Sequence, residues 1–150
     1  MNSVVLDASF IIKLLIDEAG STVAKAVFER YEESGYRLLV PGHAFAEVTE
    51  VLCRKRRRGA VTSQQLSRAL DFLARRIAVS SLDQLLEPAV DLALSYRVSV
   101  YDALYVVLAD EMELMMLTCD LKLAAALRHS PYGKSILGVD EGGVISYGEP

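Results

Sequence analysis

The chain has little cysteine, no Cys/His spacing suited to zinc, and no long apolar run. Cys53 and Cys119 are its only cysteines. Two thiols make no disulfide framework, and both lie in apolar segments where a buried free thiol is the default. Without clustered Cys and His ligands a zinc site is excluded. No apolar stretch approaches the about 18 residues that a membrane span needs. The start Met1-Asn2-Ser3-Val4 lacks the positive region of a signal peptide. These absences point to a cytoplasmic protein away from membranes. Repeats, low-complexity tracts and linkers are also missing, so residues 1–150 read as one domain.

Positive charge is short as well. The net charge of −4 does not suggest a nucleic-acid binder. The basic residues that exist are bunched, in Arg54-Lys55-Arg56-Arg57-Arg58. Apolar residues make up 52% and charged residues 24%, a globular balance without signs of disorder. A chain of this length buries roughly 70% of its unfolded surface, enough for a core without staples.

What is present is an alternation of short apolar runs with helical patterns. Residues 3–6 read as a buried strand, and Ser9 as the cap of a short helix carrying Phe10, Ile11, Leu14 and Leu15. A helix from Ser21 follows, then a strand over 37–40 stopped by Pro41-Gly42. Helices are expected at 43–58, from Ser63, at 82–96 and at 99–113, with a strand near 77–80. Residues 114–118 form another strand, 121–128 a helix, and the tail one or two strands near 136–139 and 144–147. This order indicates an α/β domain with a mainly parallel central sheet flanked by helices.

Four acids are placed unusually within that pattern. Asp7 ends the run Val4-Val5-Leu6, and Asp120 follows the strand that ends at Thr118. Glu47 and Asp102 lie in the first turns of two largely apolar helices. In a parallel sheet, strand C-termini and helix N-termini share one edge, where ligands bind. On its helix Glu47 flanks the stripe Ala44, Phe45, Val48, Val51 and Leu52, whereas Glu50 points to solvent. Asp102 is the only charge between Arg97 and Asp110. Carboxylates gathered in this way repel one another, and a divalent cation relieves them. Hard oxygen ligands suit Mg²⁺ or Mn²⁺. Each acid also has a plain structural use: Asp7 as a turn residue, Asp120 as a helix cap, Glu47 against a helix dipole, Asp102 in a capping box with Ser99.

At these residues the chain resembles a PIN domain, and within that family the VapC-type toxins. The matching segments are Val4-Val5-Leu6-Asp7-Ala8-Ser9 and Pro41 through Glu47-Val48 to Leu52. Tyr101-Asp102-Ala103-Leu104-Tyr105 and Leu117-Thr118-Cys119-Asp120 complete them. The resemblance implies a PIN-like three-layer sandwich and a Mg²⁺- or Mn²⁺-dependent endoribonuclease, the toxin of a toxin–antitoxin system. It implies Asp7, Glu47, Asp102 and Asp120 as the acidic metal ligands, with Ser9 and Thr118 as hydroxyls beside the first and last acids. Leu121 and Lys122 stand where some members carry a further ligand. It further implies a homodimer, an RNA substrate and a small antitoxin that covers the acidic pocket. Arg54, Lys55, Arg56, Arg57 and Arg58 are candidate RNA contacts, set against their use as cations at a helix C-terminus. His43, His129 and Cys119 are read as incidental.

Other readings share parts of this pattern. A phosphoacceptor receiver wants adjacent acids after the first strand, where Asp7 stands alone. An aspartyl phosphatase wants a second Asp where Ser9 sits. A housekeeping RNA-processing nuclease has the same chemistry, and a non-catalytic RNA- or protein-binding module would lack one of the acids.

Overall fold

Val4, Val5 and Leu6 are fully buried, and a strand with no exposed face must be covered on both sides. In the computed structural model, which describes residues 2–147, they form β1 (Ser3–Leu6) at the heart of a sheet. β1 lies between β2 (Arg37–Pro41) and β4 (Met115–Thr118), parallel to both. β3 (Ala78–Ser80) extends the sheet beyond β2, and β5 (Ile136–Asp140) beyond β4. The strand order is β3-β2-β1-β4-β5-β6, and only β6 (Gly143–Ser146) runs antiparallel, paired to β5.

The helices fill the crossovers. They are α1 (Ala8–Leu15), α2 (Ser21–Glu33), α3 (Ala44–Arg57), α4 (Ser63–Arg76), α5 (Leu86–Tyr96), α6 (Val100–Glu111) and α7 (Leu121–Ala126). α6 packs on β1, β2 and β4, and every residue from Ala103 to Ala109 is buried. Its lack of a polar face follows from that central position. α1 packs on β4 and α2 on β5. The architecture is the α/β sandwich with a mainly parallel sheet. No single described helix is long and apolar enough to cross a membrane.

Register sets up the site. Leu6 pairs with Leu117, so both strands end at the same level. The Asp7 amide donates to the Leu117 carbonyl at 3.2 Å. Residues immediately after the two strands are thereby neighbours.

Two local details differ from the sequence-based expectation. Asp7, not Ser9, caps α1: its carboxylate accepts the Phe10 amide at 2.9 Å, and Ser9 lies inside the helix. Asp and Ser are comparable caps, so type alone does not choose between them. α5 starts at Leu86, four residues later than expected. Pro88 explains this. It is tolerated in the first turn, but in a helix begun at Leu82 its ring would meet the carbonyl of residue 84.

Candidate active site

Asp7 is 3% exposed and tied on both oxygens. Oδ1 accepts from Ser9 Oγ at 2.6 Å as well as from Phe10 N–H. Oδ2 accepts from the hydroxyl of Thr118. Each hydroxyl has a single proton, and both protons go to Asp7. Ser9 Oγ is therefore free to accept the Cys119 amide at 2.9 Å, and Thr118 Oγ1 the Asp120 amide at 2.9 Å. Two parallel relays thus join the carboxylate after β1 to the backbone after β4. They turn the strand-level register into a fixed relation between the first and last acids.

Asp120 caps α7, with one carboxylate oxygen accepting the Lys122 and Leu123 amides at 3.1 Å each. Its structural use and its place at the edge coexist. Asp102 sits in the first turn of α6, where its amide donates to Ser99 Oγ at 3.0 Å. Ser99 caps α6 as expected, without the return bond to the Asp102 side chain that would complete a capping box among the described residues. Glu47 lies in the first turn of α3, half-buried, while Glu50 is exposed as its helical phase requires.

The acids act on one another. Burial raises the Asp7 carboxyl to about 6 despite its three donors, and the Asp102 charge adds to the rise. Burial, then Asp102 and Asp7, push Glu47 up to about 7. Asp102 is raised by burial, opposed by Ser99, with the Asp120 charge raising it further. The influences run pairwise: Asp102 and Asp7 on Glu47, Asp102 on Asp7, and Asp120 on Asp102. The acids share a field without forming a ready cage: among the described residues no three His, Cys, Asp or Glu side chains converge closely enough to grip an ion as they stand.

The surrounding groups are neutral. His43 Nε2 lies 3.0 Å from the Tyr101 carbonyl and 3.6 Å from Glu47 Oε2. The carbonyl can only accept, so Nε2 carries the proton. Burial lowers the His43 pKa, so its approach to Glu47 is not a charged pair near neutral pH. Tyr105 is fully buried, and its hydroxyl makes no hydrogen bond of normal geometry. Burial, followed by the charges of Glu47, Asp7 and Asp102, drives its phenol far above the ordinary range. It remains a neutral O–H close enough to Glu47 to favour the carboxylate. Burial pushes the Cys119 thiol to about 12, with Asp7 adding to the rise. A thiol held protonated is no nucleophile.

A family model, the PIN domain, matches residues 4–127. The chain belongs to the PIN domain family. It is 34% identical over 123 residues to Ribonuclease VapC3 of Pyrobaculum aerophilum, covering 80% of this chain and 91% of that protein. Among solved structures it resembles Mycobacterium tuberculosis VapC20, a sarcin-ricin loop cleaving toxin. That match has TM-score 0.64 and 19% identity, over 83% of this chain and 95% of the other. It also resembles a toxin–antitoxin complex from Klebsiella pneumoniae, with TM-score 0.66 and 18% identity, over 99% and 100%.

In this PIN domain the donor chemistry fits a hard divalent cation. All candidate ligands are carboxylate oxygens, and Asp7 and Glu47 are held near neutral pKa values that a cation would bring down. The basic run occupies the last turn and C-cap of α3, with Arg54 alone lining a pocket that Glu47 also lines. Lys55 reaches Glu18 at 3.4 Å, Arg56 donates to Ser63 Oγ at 3.0 Å, and Arg57 stands 4.0 Å from Glu50. Arg54 and Arg58 are exposed. Read from sequence, His43 is incidental and Tyr105 has no role. Both gain their place through the meeting of α3 with α6, and a histidine four residues before Glu47 is the one signal that the chain offers.

Proposed function

We propose that residues 1–150 form one nuclease domain, a metal-dependent endoribonuclease, and that it is the toxin of a toxin–antitoxin pair. The observation that carries this reading is the mutual coupling of Asp7, Glu47, Asp102 and Asp120 at the carboxyl edge of a parallel sheet. The similarity to a VapC ribonuclease supports the substrate class.

Asp7, Asp102 and Asp120 would hold Mg²⁺ or Mn²⁺, with Glu47 beside them as a direct or water-mediated ligand. Such an ion supplies an activated water and neutralises charge on the scissile phosphate. The chain's own residues do the rest. Ser9 and Thr118 aim the Asp7 carboxylate and keep Asp120 in register with it. Glu47, raised by burial and by Asp102 and Asp7, is an acid whose charge a bound ion would relieve. Tyr105 and His43 bring no competing charge. No side-chain nucleophile is required.

A negative pocket of this kind suits a partner that inserts a cation, and the likeness to a toxin–antitoxin complex supports a small antitoxin. A homodimer is supported by the outward stripe Leu86, Val90 and Leu94 on α5, whose exposures of 47%, 42% and 78% leave apolar surface uncovered. The deciding experiment is RNA cleavage by wild type and Asp102→Asn, with Mn²⁺ or with EDTA. Cleavage by wild type with Mn²⁺ alone supports the reading. Equal cleavage by Asp102→Asn would defeat it.

A further inference from the structure

Next to Glu47 lies a cavity of about 260 Å³, walled by Tyr101, His43, Ala46 and Val51, with Glu47, Glu50 and Arg54 completing it. Its volume falls below the roughly 300–1,000 Å³ typical of sites for whole drug-sized ligands. One flat ring system is the natural scale of occupant. Tyr101 is 64% exposed, yet its backbone is fixed, because its carbonyl accepts from His43 and the next residue is Asp102. The Tyr101 and His43 rings face each other at 6.0 Å with a tilt of 35°. An aromatic ring is thus presented to solvent one residue from an acid of the site. Arg54, exposed nearby, makes no side-chain hydrogen bond or ion pair among the described residues.

We infer that this cavity takes a nucleobase of the RNA strand, stacked on Tyr101, while Arg54 meets an adjacent phosphate. The inference rests on the nuclease reading above and adds a subsite to it. Single-stranded RNA is commonly held by bases splayed onto aromatic faces, with cations tracking the backbone. The mostly carbon walls suit the base, and the one uncommitted cation of the cavity wall suits the phosphate. Neither feature is needed to hold a metal ion. Tyr101 would be a binding residue that places the scissile phosphate over the acids.

The test uses the full chain and an RNA that wild type cleaves. Tyr101→Ala, Tyr101→Leu and Tyr101→Phe are compared on intact RNA and on RNAs carrying one abasic nucleotide at each position flanking the cut. Stacking predicts that Tyr101→Ala lowers kcat/KM about 10- to 100-fold, chiefly through KM, and that Tyr101→Phe restores it. Tyr101→Leu should fall between them. At one position, base removal should cost wild type a similar factor and cost Tyr101→Ala nothing further. Unchanged kcat/KM in Tyr101→Ala, or losses that multiply at every position, would overturn the base site while leaving the nuclease intact. Normal cleavage by Tyr101→Ala together with escape from inhibition by a protein partner would overturn it too, and would assign the cavity to that partner. Failure of wild type to cleave any RNA would instead bring down the nuclease reading, and this subsite with it.

Discussion

Asp7 and Asp102 bear the same charge at the same sheet edge, but they are held in contrasting ways. Asp7 is buried, caps α1, and takes hydrogen bonds from Ser9, Phe10 and Thr118. Asp102 is half-buried on the first turn of α6, anchored by its backbone amide on Ser99. The strand-end acid is built into the scaffold, whereas the helix acid is held chiefly through its backbone. Like charges can share this edge because some of them are fastened by the fold itself. The others are placed by helix starts that would form without them.

The contrast is tested first by activity. Asp7→Asn and Asp102→Asn should each lower RNA cleavage by at least about 100-fold, as loss of a positioned electrostatic group does. Asp102→Asn should leave urea stability within about 0.5 kcal/mol of wild type, since it removes a partly exposed charge without breaking a cap. A large stability loss in that variant would erase the distinction.

The next effect is pH-dependent stability without metal. Asp7 has a pKa of about 6 in the fold against the ordinary 3.8. Between those values the folded state keeps a proton that the unfolded chain has lost. Stability therefore falls as pH rises from about 4 to about 6, by on the order of 3 kcal/mol for Asp7. Glu47, raised from 4.5 to about 7, extends the decline in the same direction to about pH 7. Urea midpoints in EDTA across this range should show the slope, and Asp7→Asn should flatten its lower part, leaving the share of Glu47. Added Mn²⁺ should restore stability above pH 6, where the carboxylates are ionised. Stability of wild type that rises over this interval relative to Asp7→Asn would contradict the assignment.

Thr118→Val probes the relay. It leaves Asp7 Oδ2 and the Asp120 amide without their partner and should cost about 1–3 kcal/mol. Cleavage should fall about 10- to 100-fold, as when a ligand loses its supporting hydrogen bond. The smallest effect is expected at the end of α3. Replacing Arg56, Arg57 and Arg58 by Ser should leave stability and metal binding alone. RNA affinity should weaken, with a log–log salt slope shallower by up to about 2. An unchanged slope would assign these cations to the helix C-terminus.

Much of this was legible in the sequence because strand ends and helix starts are local signals. The runs before Asp7 and Asp120 were too apolar for exposed strands, and their parallel pairing put both acids at one edge. Ser99 announced the start of α6, and the phase of Glu47 separated it from Glu50. The rest depended on contacts between distant segments. Ser9 looked like a cap because Ser is one. Its work of linking Asp7 to Cys119 exists only once β1 and β4 are adjacent. His43, Tyr101 and Tyr105 acquire meaning from the approach of the start of α3 to α6, which no spacing along the chain encodes.

The most direct measurement is a calorimetric titration of the intact protein with Mn²⁺ at pH 6 and pH 8, wild type against Asp102→Asn. If the acids form one cation site, wild type binds saturably and more tightly at pH 8, and Asp102→Asn loses most of that binding. Equal binding by both proteins, or no binding by wild type at either pH, would contradict it.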